Sequence, residues 1–264
     1  MRISLIQSDI VWNNPTGSLA RVDKLVEHSL KSKPRLVVLP EMFTTGFSLI
    51  NGPAAYEAEQ ISRSYLAETA SKHEISIVAS IPELKGDKLF NALVVYGPEG
   101  LLGTYRKIHL FSYAKENEIY SPGDAPLTLE IAELRITFFV CYDLRFPEAF
   151  CALADSTDLF VVVANWPSKR AGHWSTLLQA RAIENLAYVV GVNRVGSGGN
   201  LDYSGGSIIV SPTGEIVTEC GTGELERSSV IEKGLVTRCR SGFPTLRDRR
   251  PEVYRGWDLP KGSI

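Results

Sequence analysis

A layered α/β fold is predicted by three features of the sequence. Short apolar runs alternate with helical patterns, several of those runs are apolar throughout, and no linker interrupts the series. The runs LVVLP, ISIVAS and LFVVVAN show no polar face, as expected for strands covered on both sides of a sheet. In chain order, RISLIQ reads as a strand, residues 17–31 as a helix, RLVVLP as a strand, 55–72 as a helix and ISIVAS as a strand. ALVVYGPEGLLGTYRKI then reads as two strands about the turn Gly97-Pro98-Glu99-Gly100, and LTLEI and ELRITFFVC as two more. A helix opening near Pro147, the strand DLFVVVAN, a helix over 172–186, the strand YVVGVNR and a hairpin in SGGSIIVSPTGEIVTEC complete the pattern. A single domain over 1–264 is expected. Its last part, 241–264, has little periodicity and reads as an extended C-terminal tail packed on the body or on a partner.

The formal charge of −2, with 44% hydrophobic and 22% charged residues, fits a soluble globular chain. Lys and Arg are dispersed except in RDRR at 247–250, so nucleic acid is not an expected partner. MRISLIQSDIVW lacks the apolar core and cleavage site of a signal peptide, and no apolar run approaches the roughly 20 residues of a membrane span. Neither membrane contact nor secretion is expected. Cys141, Cys151, Cys220 and Cys239 form no CxxC pair, which points to a reducing, cytoplasmic location.

Three strand ends carry residue types suited to chemistry. In FFVCYDLRFPE, Cys141 stands where an apolar strand stops and a turn begins. A thiol there is either a small buried hydrophobe or a nucleophile, and it acts as a nucleophile only beside a base, a cation or a helix N-terminus. In LVVLPEMF, Glu41 follows a strand directly, where open α/β sheets place their sites; alternatively it is a solvated loop residue. In YRKIHLF, Lys107 ends a strand between apolar neighbours, and either reaches water or serves as a desolvated cation. Together they offer a base, a cation and a nucleophile, the parts that amide hydrolysis through a thioester requires.

LPEMF, YRKIHLF and VCYDLRFPE, in this order and at this spacing, resemble the nitrilase or carbon–nitrogen hydrolase superfamily with its Glu-Lys-Cys triad. The resemblance extends from ISLIQ through ANWP and ARAIEN to DRRPEVY. It implies a four-layer α-β-β-α sandwich, a homodimer or higher homo-oligomer, and no cofactor. It also implies that Cys141 attacks the carbonyl carbon, Glu41 moves the proton, and Lys107 with the Tyr142 N–H holds the oxyanion. A second glutamate is implied in KENEIYSPGD, at Glu116, with Glu118 as the alternative. CYDLRFPE with ANWP is most similar to the omega-amidase branch, which implies a small-molecule amide substrate such as 2-oxoglutaramate or 2-oxosuccinamate.

Arg145 then has two readings, a bidentate partner for a substrate carboxylate or a structural ion pair under the elbow. Phe47, Tyr142 and Trp166 are candidate pocket walls or core aromatics. A carbamoylase or another amidase or nitrilase of the superfamily remains an alternative, although Tyr142 after the cysteine, where nitrilases usually have tryptophan, counts against nitriles. So does an inactive binding module, but such a module has no chemical reason to keep all three triad residues. His28 and His73 lie on or beside amphipathic helices and read as solvent-facing. His109 reads as a loop-positioning residue and His173 as a pocket or subunit contact. No His or Cys spacing supports a metal site. The stripe Leu177, Leu178, Ala182 and Leu186 is either a dimer contributor or that helix's own core face.

Overall fold

The computed structural model describes residues 1–254 and Trp257. The first sheet begins with parallel strands β1 (Arg2–Gln7), β2 (Leu36–Val38) and β3 (Ser76–Lys85). They are joined by α1 (Pro15–Ser29) and α2 (Gly52–His73), and continue antiparallel into β4 (Lys88–Gly97) and β5 (Gly100–Arg106). After the short helix α3 (Glu116–Ile119), the second sheet is entered through β6 (Thr128–Ile131) and β7 (Leu134–Val140). Helix α4 (Pro147–Leu153), β8 (Leu159–Ala164), α5 (Ala171–Asn185) and β9 (Tyr188–Asn193) carry it on in parallel. A separate hairpin, β10 (Val195–Gly198) with β11 (Leu201–Ser204), interrupts before β12 (Ile208–Val210) and β13 (Ile216–Glu219) finish the sheet. The chain then returns to the first sheet, where β14 (Leu225–Val230) pairs antiparallel with β1.

The two-residue period of the strands explains the layering. Ile3, Leu5, Leu36, Val38, Val78, Leu93 and Val95 share one core with the second sheet. Their neighbours Ile6, Val37, Ile77, Ala79 and Val94 pack instead with Val22 and Val26 of α1 and Leu66 and Ala70 of α2. On the far side, Phe150 of α4 lies 4.3 Å from Phe139 between ring centroids, and Leu178 and Ala182 of α5 are buried in the same core. Gly191 of β9 permits that approach, since a Cβ there would stand 2.4 Å from the Leu178 side chain. The order is helices, sheet, sheet, helices, the α-β-β-α sandwich that the resemblance implies.

Local signals fix the helix ends. α1 starts at Pro15, two residues before the sequence reading, because Asn14 accepts the Gly17 N–H at 2.8 Å and proline suits the first turn. Leu178, Ala182 and Leu186 are buried, so this part of the α5 stripe is core, while Ile183 is exposed. β14 and the β10–β11 hairpin escaped the sequence reading because neither LERSSV nor VGSG carries an apolar alternation. The segment expected to be an extended tail begins inside α6 (Lys233–Gly242) and continues through a 3-10 turn, Thr245–Asp248, into α7 (Pro251–Tyr254). Its described part is thus mostly short helical turns joined at 243–244 and 249–250, and the rest, apart from Trp257, lies outside the described residues. Among the described residues no helix is long and apolar enough to cross a membrane.

Candidate active site

Glu41, Lys107 and Cys141 come together at the carboxyl ends of β2, β5 and β7, where the two sheets face one another. Glu41 follows Leu39-Pro40 at the end of β2 and is fully buried, so it is not the solvated loop residue of the alternative reading. Its Oε1 accepts Lys107 Nζ at 3.1 Å and Asn91 Nδ2 at 2.8 Å, and its Oε2 accepts the Asn165 N–H at 2.8 Å. Lys107, 1% exposed, also donates to Glu116 Oε1 at 3.1 Å and Oε2 at 2.9 Å. Glu116, 0% exposed, is fixed in turn by the Phe111 N–H at 2.6 Å. Glu118 lies outside this cluster, exposed and 3.7 Å from Lys115.

A cation so buried is costly unless it is paired. Burial works against the Lys107 charge, but Glu116 and Glu41 outweigh it and hold the ammonium above its ordinary range. Cys141 follows β7 with φ 47°, a left-handed conformation, at the first position of a 3-10 turn, Cys141–Arg145. Its Sγ lies 4.0 Å from the Asn165 carbonyl oxygen. Burial first, and then the Glu41 carboxylate, push the thiol well above its ordinary range against the opposing pull of Lys107. The resting sulfur is therefore a protonated thiol beside a carboxylate. Tyr142 is the second residue of the turn, among the first N–H groups that a helical start leaves without an internal acceptor.

The elbow is held by Asp143, which is fully buried. It accepts the Val140 N–H at 3.0 Å, the Tyr105 hydroxyl at 2.8 Å and the His109 N–H at 3.0 Å, and meets His109 Nδ1 at 2.8 Å. The His109 ring stacks on Phe146 at 3.8 Å. His109 thus ties the Lys107 loop to the cysteine turn, the positioning role read from the sequence. His28 is exposed and bonded to Glu226, and His73 is partly buried beside Glu27.

Above the three groups lies a pocket of about 460 Å³ counted out to its mouth, with Phe47, Tyr142, Arg145, Trp166, Arg170 and Tyr203 in its wall. All four residues nominated as walls or substrate contacts are there. Among the described residues Arg145 makes no ion pair under the elbow. Its guanidinium lies 4.7 Å over the Trp166 ring and donates to His173 Nδ1 at 3.4 Å. Burial, and then Arg170, hold its pKa below the usual value. Arg170 lies over Phe111 at 5.6 Å. Among the described residues neither guanidinium has a carboxylate partner.

Sequence reasoning missed Asn91, Asn165, Asp143 and Arg170. Asn91 did leave a signal, a polar residue inside the apolar run LFNALVV, and Asn165 another, at the end of LFVVVAN. Neither signal names a partner.

Comparison with known proteins agrees with this geometry. Residues 2–233 match the model of the carbon-nitrogen hydrolase family. The chain is 35% identical to the omega-amidase YafV of Escherichia coli strain K12, over 97% of this chain and 99% of that protein. It is 32% identical to the 2-oxoglutaramate amidase of Bacillus subtilis strain 168, over 96% and 98%. A CN-hydrolase superfamily protein of Xanthomonas campestris, solved with an arsenic adduct in its active site, superposes with a TM-score of 0.87 at 36% identity, covering 95% of this chain and 97% of that one. A family match over nearly the whole chain, joined to a partly buried cysteine at the sheet ends, leads to one assignment: this chain belongs to the carbon–nitrogen hydrolase family and is a cysteine-dependent amide hydrolase.

Proposed function

We propose that this enzyme hydrolyses the terminal amide of small 2-oxo dicarboxylic acid monoamides, such as 2-oxoglutaramate and 2-oxosuccinamate, releasing ammonia and the 2-oxo acid. The observation that carries the substrate class is the pair Arg145 and Arg170. Two guanidiniums without carboxylate partners among the described residues line the pocket that holds Cys141. Both guanidiniums are partly withdrawn from water with no counter-charge of their own, and a substrate carboxylate supplies the missing charge through bidentate hydrogen bonds. The relatives named omega-amidase and 2-oxoglutaramate amidase support the same class.

In this reading the Cys141 thiol transfers its proton to Glu41 as sulfur attacks the amide carbon. The carbonyl oxygen becomes an oxyanion held by Lys107 and the Tyr142 N–H. Glu41 returns the proton to the amide nitrogen, the C–N bond breaks, and ammonia leaves a thioester on Cys141. A water molecule gives a proton to Glu41 and attacks the thioester, and collapse of that intermediate returns the thiol and the carboxylic acid. Glu116 keeps Lys107 charged and in place throughout. The raised thiol suits this sequence, because the proton leaves sulfur only when the base takes it.

The test is ammonia release from 2-oxoglutaramate, 2-oxosuccinamate, an aliphatic amide, a nitrile and an N-carbamoyl amino acid, with the intact enzyme, Cys141→Ala, Arg145→Met and Arg170→Met. The expected result is turnover of the 2-oxo amides that is abolished in Cys141→Ala. Each arginine variant should raise KM for them by about tenfold or more while leaving the uncharged amide unaffected. Preference for the N-carbamoyl substrate would move the enzyme to the carbamoylase alternative.

A further inference from the structure

We infer that Asn91 is a positioning residue of the reaction, with its single amide group holding Glu41 and Glu116 together while Ser80 dictates which way that amide points. The inference rests on the reading of Glu41 as the base. Asn91 lies on β4, fully buried in an otherwise apolar run. A polar side chain at such a place is unfavourable unless each of its groups is bonded.

The bonding can be followed proton by proton. The Met42 N–H donates to Ser80 Oγ at 2.9 Å, and the Ser80 hydroxyl proton is then directed to Asn91 Oδ1 at 3.0 Å. With its oxygen turned to Ser80, the amide presents nitrogen to the carboxylates, which act as acceptors when ionised. Its two N–H groups are shared one to each, at 2.8 Å to Glu41 Oε1 and 3.0 Å to Glu116 Oε1. The chain also closes on itself, because Met42 follows Glu41 directly and takes the left-handed conformation, φ 46°. The same hydroxyl thus fixes the backbone that presents the base and the amide that bonds it.

Other titratable groups face this cluster from neighbouring elements. Lys107 approaches from the end of β5, Cys141 from the end of β7, Tyr120 from beyond α3 and Tyr203 from β11. Lys107 is the one buried cation shared by the two glutamates among the described residues, and Asn91 adds the two neutral donors that let both remain acceptors.

Three variants separate this role from packing. Asn91→Asp keeps the shape but replaces two donors by a third carboxyl, Asn91→Leu removes the donors without adding charge, and Ser80→Ala removes the orienting hydroxyl. The expected result for Asn91→Asp is a fall in kcat of about 100-fold or more near pH 7.5, with KM within about threefold of the parent. The acid limb of kcat/KM should move to higher pH in all three, most in Asn91→Asp and least in Ser80→Ala, because a carboxylate that loses a donor or gains a like charge takes up its proton more readily.

The rate of Cys141 alkylation by iodoacetamide as a function of pH gives the same readout without any substrate, and its limb should move in the same direction. Variants that lower kcat but leave both limbs at the parent's position would reduce Asn91 to a packing residue and overturn the inference. If neither Asn91 variant folds, an unmoved limb in Ser80→Ala overturns it equally. Alkylation of Glu41→Gln at the parent's rate and with the parent's pH profile would remove Glu41 as the base, and the inference with it, a failure recognisable because it needs no change at Asn91.

Discussion

The segments β1–β5 and β7–β13, with the β10–β11 hairpin set aside, repeat one plan. Each has three parallel strands linked by two helices, then two antiparallel strands, with one further antiparallel strand at the outer edge. What differs is the residue at each strand end. β2 is followed by Glu41 and β8 by Asn165, and these two counterparts bond to one another, the Asn165 N–H to Glu41 Oε2 and its amide Nδ2 to the Glu41 carbonyl at 2.6 Å. β7 is followed by Cys141, whereas β1 ends on Gln7, whose side chain ties Gly221, Gly223 and Ser207 across the sheets. β5 is followed by Lys107, and β13 by the buried Cys220. In the proposed mechanism the first half supplies the charges, and the second the nucleophile and the donor that steadies the base. Neither half holds a complete site, so catalysis depends on the packing of sheet against sheet.

The strongest way to break this division is to remove the one charge that the first half balances. Lys107→Met leaves Glu41 and Glu116 facing each other in a buried space. Amide hydrolysis should fall by a factor on the order of 10³ or more, and stability by about 3–5 kcal/mol, the usual cost of breaking a buried pair. The sign of its pH dependence follows from the same geometry. Without the cation one of the two carboxyls takes up a proton, the folded state then binds more protons than the unfolded chain, and stability drops as pH rises. Urea unfolding at pH 5 and pH 8 should show the smaller deficit at pH 5; an equal deficit would mean that the two glutamates do not share the Lys107 charge.

Next in size is the contact between the halves. Asn165→Ala removes the Nδ2 bond to the Glu41 carbonyl but keeps the backbone N–H, so the base is loosened rather than lost. We expect kcat to fall by about 10–100-fold with KM little changed. A KM effect alone would place Asn165 in substrate binding instead.

These two cases show what the sequence could and could not disclose. The strands LVVLP, ISIVAS and LFVVVAN were legible because burial on both faces leaves an apolar run, and Glu41, Lys107 and Cys141 because each interrupts such a run at its end. Glu116 came from the resemblance. The bonds that make the site work join residues 50 and 124 positions apart, Asn91 to Glu41 and Asn165 to Glu41, and no local pattern encodes them. Asp143 was hidden for the same reason: two residues past Cys141 it resembles any turn aspartate until Tyr105 and His109 are brought to it. The β10–β11 hairpin was missed because it lacks an apolar alternation, and Arg194, the buried cation just beyond β9 that steadies it, leaves no local signal either.

Arg194 supplies a prediction of intermediate size. It donates to Asp9 Oδ1 at 3.1 Å, the Ile10 carbonyl at 2.9 Å and the Val195 carbonyl at 2.9 Å, with its guanidinium 4.5 Å over Tyr203. Leu201 and Tyr203 of the hairpin it steadies are pocket walls. Disturbing this clamp through Asp9→Asn should raise KM for the preferred amide by about 3–5-fold with kcat within a factor of two, since the reacting groups lie on other elements. A fall in kcat at constant KM would instead connect the hairpin to the chemistry.

The smallest effect concerns backbone strain, which the two halves place differently. At the elbow after β2 the left-handed residue is Met42, next to the proposed base; at the elbow after β7 it is Cys141, the proposed nucleophile. A side chain in that region costs about 1–2 kcal/mol that glycine avoids, partly offset by glycine's greater freedom in the unfolded chain. Cys141→Gly should therefore be inactive yet more stable than Cys141→Ala, by about 0.5–1 kcal/mol in urea unfolding. The same replacement at Met42 should go the other way. Met42 is buried against Leu89 and Tyr120, so Met42→Gly loses about 2–5 kcal/mol of packing that relief of the left-handed conformation does not recover. Opposite signs at the two elbows would establish that the second half carries its strain on a side chain retained for chemistry, and the first on one retained for packing.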